Sequence, residues 1–262
     1  GIRRARGEIC AMFCADNLIV SKNCFKNIYS TFQVNRLMTG YYPKFYAYVK
    51  NDNSLNRYFS LIGNNDPIAF YLKKQDRSPY WEINPNLGFE YMVYPDKVPS
   101  FGDNGFFYWR DSIKRADLEH YYPMDCAEDL RLRGEFRYIR DNSAPVWHRT
   151  SDNLFTFLRK RYRYARDLYC DRQDRRWKML DTREDFYKLC LFVLCTITVI
   201  PSLAVSARGF FKIRDWAWFW HWPVCLGFLI TYILLVCRNL FKRPFSSPLS
   251  AGGMRSNAVL EA

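Results

Sequence analysis

Two uncharged apolar runs near the C-terminal end constrain this chain more than any other feature. The first covers 19 residues, Leu189 to Ala207, and the second 22, Trp216 to Cys237. A helix needs roughly 20 apolar residues to cross the hydrocarbon of a bilayer, and both runs meet that length. Only Arg208 to Asp215 separates them, so the expectation is a two-helix transmembrane hairpin over residues 186–243. Pro201 should kink its first helix. Trp216, Trp218, Trp220 and Trp222 open the second with an aromatic belt suited to headgroup depth. A buried helical hairpin of a soluble protein is the alternative, and the run lengths weigh against it.

Charge sets the expected orientation. Arg172, Arg175, Arg176, Lys178, Arg183 and Lys188 precede the hairpin and Arg238, Lys242 and Arg243 follow it; the connecting loop holds Arg208, Lys212 and Arg214. Basic loops stay on the cytoplasmic side, which puts both flanks there and makes the chain an integral membrane protein with its catalytic side cytoplasmic. Residues 244–262, rich in Ser, Gly and Pro, are expected to form a disordered tail.

The net charge of +13 favours phosphates, anionic lipid heads or nucleic acid as partners. Ten of the basic residues fall between Arg159 and Arg183 against four Asp, directly before the first apolar run. That position points to membrane lipids and away from nucleic acid. Nine cysteines without a C-x-x-C pair argue for reduced thiols and against both a disulfide framework and a zinc site. The chain begins at Gly1 with no signal-peptide pattern, as a fragment or a processed product would.

Along the chain, Glu8 to Val20 reads as a strand and its turn, and Cys24 to Met38 as a helix stopped by Thr39-Gly40. Tyr58 to Ile62 is a short helix ended by Gly63, and Asp66-Pro67 opens another over Ile68 to Leu72. Tyr91 to Tyr94 and Arg137 to Ile139 have strand composition, and Arg110 to Ala116 follows a glycine turn as a helix. Ser151 can cap a helix with Leu154, Phe157, Leu158, Tyr162, Ala165, Leu168 and Tyr169 on one side and Arg159, Lys160, Arg163 and Arg166 on the other. Residues 151–185 are thus expected to be a basic amphipathic interfacial helix region; a core-packing helix with a solvated face is the alternative.

Several residues could carry chemistry. Gly102, Asp103, Asn104 and Gly105 let the backbone turn tightly against a ligand, although such a group often marks only a turn. Asp125, Glu128 and Asp129 cluster near His120, and a carboxylate can take the proton from an attacking hydroxyl. A solvated acidic loop paired with arginines is the alternative there. His148 could ligate a metal or touch an acceptor. Arg161, Arg163 and Tyr164 suit a diphosphate or a lipid phosphate, because guanidinium matches such oxygens through a planar fork.

Taken in order, Gly102-Asp103-Asn104-Gly105-Phe106-Phe107, Asp125 with Gly134 downstream, Val146-Trp147-His148 and the run Arg161 to Arg166 resemble the second half of a family 2 glycosyltransferase. Arg208 to Phe219 is similar to the membrane segment of some microbial members, and the resemblance extends roughly from Glu8 to Cys237. It implies an α/β fold: a partial GT-A-like mixed domain, then the interfacial helix, then the transmembrane hairpin. It also implies inverting transfer from a nucleotide-sugar donor, with a divalent metal (Mg2+ or Mn2+), to a lipid-linked or cell-envelope glycan acceptor. Asp125 falls at the family's general base, and Arg161, Arg163 and Tyr164 near its Q-x-x-R-W-type motif. Lys160 and Tyr164 replace the glutamine and tryptophan of that motif, which favours single transfer over processive synthesis.

The family's D-x-D metal motif has no counterpart between Gly1 and Ala116, and Asp16-Asn17 does not read as a substitute. Residues 1–150 are therefore expected to be the acceptor-side half of a catalytic domain truncated at its N-terminus, of doubtful activity by itself. A non-enzymatic membrane adaptor, binding anionic lipid through its basic helix, is the alternative function.

Overall fold

Aromatic side chains build the central sheet. A computed structural model describes residues 4–84, 88–92, 98–100, 104–115, 123–167 and 176–242. Strands β1 (Ile9–Met12), β3 (Gly40–Pro43), β4 (Glu90–Met92), β5 (Phe106–Trp109) and β6 (Tyr138–Asp141) form one mixed sheet in the order β1-β5-β3-β6-β4. The β3–β6 pair is parallel and the rest antiparallel. Successive strand residues point to opposite faces, and the two faces carry separate cores. Tyr42, Phe106, Tyr108 and Tyr138 belong to one, and Tyr41, Phe107 and Ile139 to the other. Burial on both faces removes the polar alternation of a half-exposed strand, which is why β3 and β5 carry no strand signal in the sequence. Gly40 is required at the centre: a Cβ there would lie 2.6 Å from the Phe107 carbonyl oxygen and from the Tyr138 ring.

The expected strand and turn over Glu8 to Val20 divide into β1 and β2 (Asn17–Ile19). The latter pairs antiparallel with β7 (Val146–His148), setting Asn17 opposite His148. On one face of the large sheet, α1 (Cys24–Val34) buries Ile28 and Phe32. The other face receives α2 (Ser54–Ile62) and α3 (Pro67–Tyr71), whose apolar residues join the larger core. The Asn53 side chain caps α2 by accepting from Asn56 N at 2.8 Å.

Gly63 ends α2 with φ of 77°, and a Cβ there would lie 2.5 Å from the Ser78 carbonyl oxygen and 2.7 Å from that of Arg77. Gly63→Ala should therefore lose more than the roughly 1–2 kcal/mol of a left-handed non-glycine residue. A denaturant midpoint unchanged from wild type would show that the turn relaxes freely.

Helix α4 (Arg110–Arg115) follows β5 as expected, and α5 (Pro123–Leu132) precedes β6. The acidic segment is therefore helical and not a solvated loop, with Cys126, Ala127 and Leu130 in the core. Helix α6 (Leu154–Ala165) is capped by Asn153, whose side chain accepts from Thr156 N at 2.8 Å, and not by the expected Ser151. A cap must directly precede the first helical residue; Ser151 lies two positions too early and donates instead to the Asn153 carbonyl. The apolar face of α6 is covered: Phe157 lies 4.7 Å from the Phe59 ring and 5.8 Å from that of Phe228. Arg159 and Arg163 face outward.

The C-terminal region departs from the expected hairpin. Its first apolar run is two helices, α7 (Arg183–Thr198) and α8 (Ile200–Lys212), bent by 88°. The break sits at Val199, φ 64°, just before Pro201. After a 3-10 turn at Trp216–Trp220 comes α9 (His221–Lys242). Trp216–Asn239, with mean hydropathy 1.8, is long and apolar enough to cross a membrane. The loop expected to lie beyond the bilayer is held on the domain itself. Asp215 accepts from Arg57 Nε at 2.8 Å and Arg57 Nη2 at 3.1 Å, and from the Tyr48 hydroxyl at 2.5 Å.

Candidate functional site

A cavity of about 250 Å³ opens between the β2–β7 ribbon, the α2–α3 connection, the turn before β5 and helix α6. Of the residues singled out in the sequence, Asn104, His148, Arg161 and Tyr164 line it, with Lys160 beside them. Cys14, Asp16, Asp66, Asp76 and Thr150 complete its polar wall, and Met124 also reaches it.

The ribbon register builds one wall. With Asn17 opposite His148, Asp16 comes alongside the imidazole: His148 Nε2 lies 3.3 Å from Asp16 Oδ2. Asn17 donates to Asp16 Oδ1 at 2.8 Å and to Asn104 Oδ1 at 3.2 Å. Partial burial of Asp16 opposes its ionisation. The hydrogen bond and charge of His148, with the Asn17 amide, outweigh that and hold the carboxyl below its usual value. Gly105, φ 73°, closes the turn where a Cβ would lie 2.6 Å from Val146 Cγ2, so glycine lets the turn approach β7. Gly102, Asp103 and His120 lie outside the described residues.

Arg77 braces this wall from behind. Its guanidinium is enclosed by the rings of Phe106, Tyr46 and Tyr42 at 4.6, 5.1 and 5.2 Å. It donates to the Asn104 carbonyl at 2.5 Å and lies 3.4 Å from Asp76 Oδ2, which also accepts from the Tyr46 hydroxyl at 2.7 Å. An enclosed guanidinium is tolerated only with such partners. Asp76 and Arg77 carry no signal in the sequence, where they stand in the short charged and polar run Lys73 to Ser78.

The opposite wall is α6. Lys160, Arg161 and Tyr164 share one side of the helix, while Arg163 points away to solvent. Arg161 pairs with Asp66, and its guanidinium lies over the rings of Tyr164 and Phe228 at 5.1 and 5.4 Å. Asp66 also caps α3, accepting from Ile68 N at 2.9 Å. Among the described residues the buried Thr150 hydroxyl has no hydrogen-bond partner, and it belongs to the cavity wall.

The three carboxylates proposed for catalysis do not line the cavity. Asp125, one residue after Met124 in the first turn of α5, accepts from Trp177 N at 2.8 Å. Glu128 is held by Arg131 at 2.6 and 3.0 Å, and Asp129 by Arg133 at 3.0 Å and by Arg176.

Among the described residues, no group of three or more His, Cys, Asp or Glu side chains could enclose a metal ion. Mg2+, however, commonly takes one or two protein ligands and completes its shell with water and substrate phosphate. Asp16 offers a carboxylate of the kind such a site uses, with His148 beside it on the cavity wall. The sequence reading discounted Asp16 for want of a second aspartate. Its partner lies 132 positions away, and only strand pairing brings the two together. No family model, curated protein or solved structure matches this chain.

Proposed function

We propose that this chain is a membrane-bound glycosyltransferase, moving a sugar from a nucleotide-sugar donor to a lipid-linked or cell-envelope acceptor on the cytoplasmic side. The observation that carries the reading is the placement, across one cavity, of Asp16 and His148 opposite the cations Lys160 and Arg161. A ligand with a diphosphate and a metal needs both walls.

In this reading Lys160 and Arg161 hold the phosphate oxygens, with Arg161 aimed by Asp66 and by the Tyr164 ring. Asp16 and His148 would hold a divalent metal, which when bound neutralises charge on the leaving diphosphate. The acceptor oxygen forms its bond to the sugar's anomeric carbon. The bond from that carbon to phosphate breaks, and its electron pair leaves with the nucleoside diphosphate. The hydroxyl proton passes to the Asp125 carboxylate, the base that the family resemblance implies, which directly follows Met124 of the cavity wall.

Membranes containing the chain, given radiolabelled nucleotide sugars, should transfer label to a lipid or glycan fraction. Mn2+ titration in the presence of nucleoside diphosphate supplies a second readout: Asp16→Ala and His148→Ala should each weaken binding at least about tenfold. A chain that binds no nucleoside diphosphate and transfers no label would refute the reading.

A further inference from the structure

We infer that α7 and α8 form a re-entrant wedge that dips into one leaflet of the bilayer and returns, so that both ends stay on the side of the folded domain. The inference rests on the membrane reading above and changes its topology. Its occupant is the hydrocarbon of the leaflet facing the domain.

Both ends of the pair are anchored to the domain. At the start of α7, Asp185 pairs with Lys74, which also donates to the Met179 carbonyl at 2.8 Å. At the end of α8, Arg208 lies over the Trp81 ring at 4.9 Å, and Asp215 beyond it is bonded to Arg57. The corner between these anchors carries no charge and is exposed. Leu194, Ile197, Ile200 and Leu203 are 58, 66, 75 and 42 % accessible. An apolar patch of this kind on a protein surface marks contact with a partner or a membrane.

Length decides between crossing and dipping. From Leu189 to Thr198 there are ten uncharged residues, about 15 Å of helix at 1.5 Å per residue, or half of the ~30 Å hydrocarbon core. Lys188 at one end and Arg208, Lys212 and Arg214 at the other then meet the headgroups of the same leaflet, where anionic lipid favours them.

The bend is also built for a dry setting, where freed backbone groups must find partners within the protein. The Ser202 hydroxyl donates to the Cys195 carbonyl at 3.0 Å, and the Trp222 indole to the Thr196 carbonyl at 3.0 Å. The positive φ of Val199, rare for a β-branched residue, persists because these bonds and the anchors define the corner. Ser206 and Gly209 return α8 closely along Trp218; the Ser206 hydroxyl donates to the Trp218 carbonyl at 2.9 Å.

The test uses the full chain in a bacterial inner membrane, with exposed Cys190 and Cys237 changed to Ser. Single reporters Lys22→Cys in the domain and Lys212→Cys in the loop are treated with a membrane-impermeant maleimide before and after permeabilisation. Both should stay protected in intact cells and react together once the membrane is opened. A nitroxide on Ile197→Cys should collide more with lipid-dissolved oxygen than with an aqueous nickel chelate. Labelling of Lys212→Cys alone in intact cells would overturn the wedge for a hairpin and leave the membrane-bound enzyme standing. A nitroxide at Ile197 that prefers aqueous nickel would overturn it as well. Release of the whole chain by carbonate would overturn both the wedge and the membrane attachment.

Discussion

Replacing Asp125 with asparagine should lower sugar transfer by about a hundred- to ten-thousand-fold and leave the melting temperature near that of wild type. Asp125 accepts a structural bond from Trp177 N, and an asparagine carbonyl oxygen can accept that bond equally well. The amide cannot take a proton from an attacking hydroxyl. The variant therefore separates the two roles of this side chain. Glu128→Gln and Asp129→Asn make the contrast. Each carboxylate is buried and held by arginines, so both variants should lose stability while the folded fraction keeps its rate. If Asp125→Asn transfers sugar at the wild-type rate and Asp129→Asn does not, the base lies one helical turn further along α5. If all three keep their rates, α5 supplies no base.

Asp66→Ala should be the most destabilising single change around the cavity, by roughly 3–5 kcal/mol, as is usual when one member of a buried ion pair is removed. Asp66 is 2 % exposed and serves two partners, the Arg161 guanidinium and the first turn of α3. Alanine removes the Asp66 carboxylate from the guanidinium and uncaps the helix. Asp66→Asn keeps the cap, since asparagine is as good a cap as aspartate, but removes the charge, and should fall between alanine and wild type. Urea denaturation of the three proteins measures the order. Equal stability of Asp66→Asn and wild type would mean that the ion pair contributes nothing and that Asp66 acts only as a cap. Nucleoside diphosphate binding should weaken in both variants, because Arg161 is then free to leave the orientation that Asp66 and Tyr164 impose.

Local chemistry made some of the fold legible. Asp66-Pro67 opens α3 and Gly63 closes α2 because caps and left-handed turns are decided within a few residues. The helical period read over Cys24 to Met38 likewise marks α1, which ends earlier, at Val34. Strands β3, β5 and β7 were not legible as strands. The first two are aromatic on both faces and show no alternation, and β7 is three residues long. The cavity was half legible: guanidinium, imidazole and glycine-turn residues are recognisable types wherever they stand. Asp16, Asp76 and Arg77 were not, since a charged side chain becomes notable only when something encloses it.

By itself, then, the sequence determined the mixed α/β character, the short helices and their caps, the basic block, and two long uncharged segments. Only the tertiary structure decided that Asp16 meets His148 and that Arg161 faces Asp66 while Arg163 faces water. It also decided that the first apolar run breaks at Val199 into two helices bent by 88°. Caps, turns and hydropathy are properties of neighbours along the chain, whereas strand register, ion pairing and the path of an apolar segment depend on residues many positions apart. Asp215 illustrates this: nothing around it in the sequence points to Arg57, 158 positions earlier, yet that contact, with the Tyr48 hydroxyl, ties the loop between α8 and α9 to the domain.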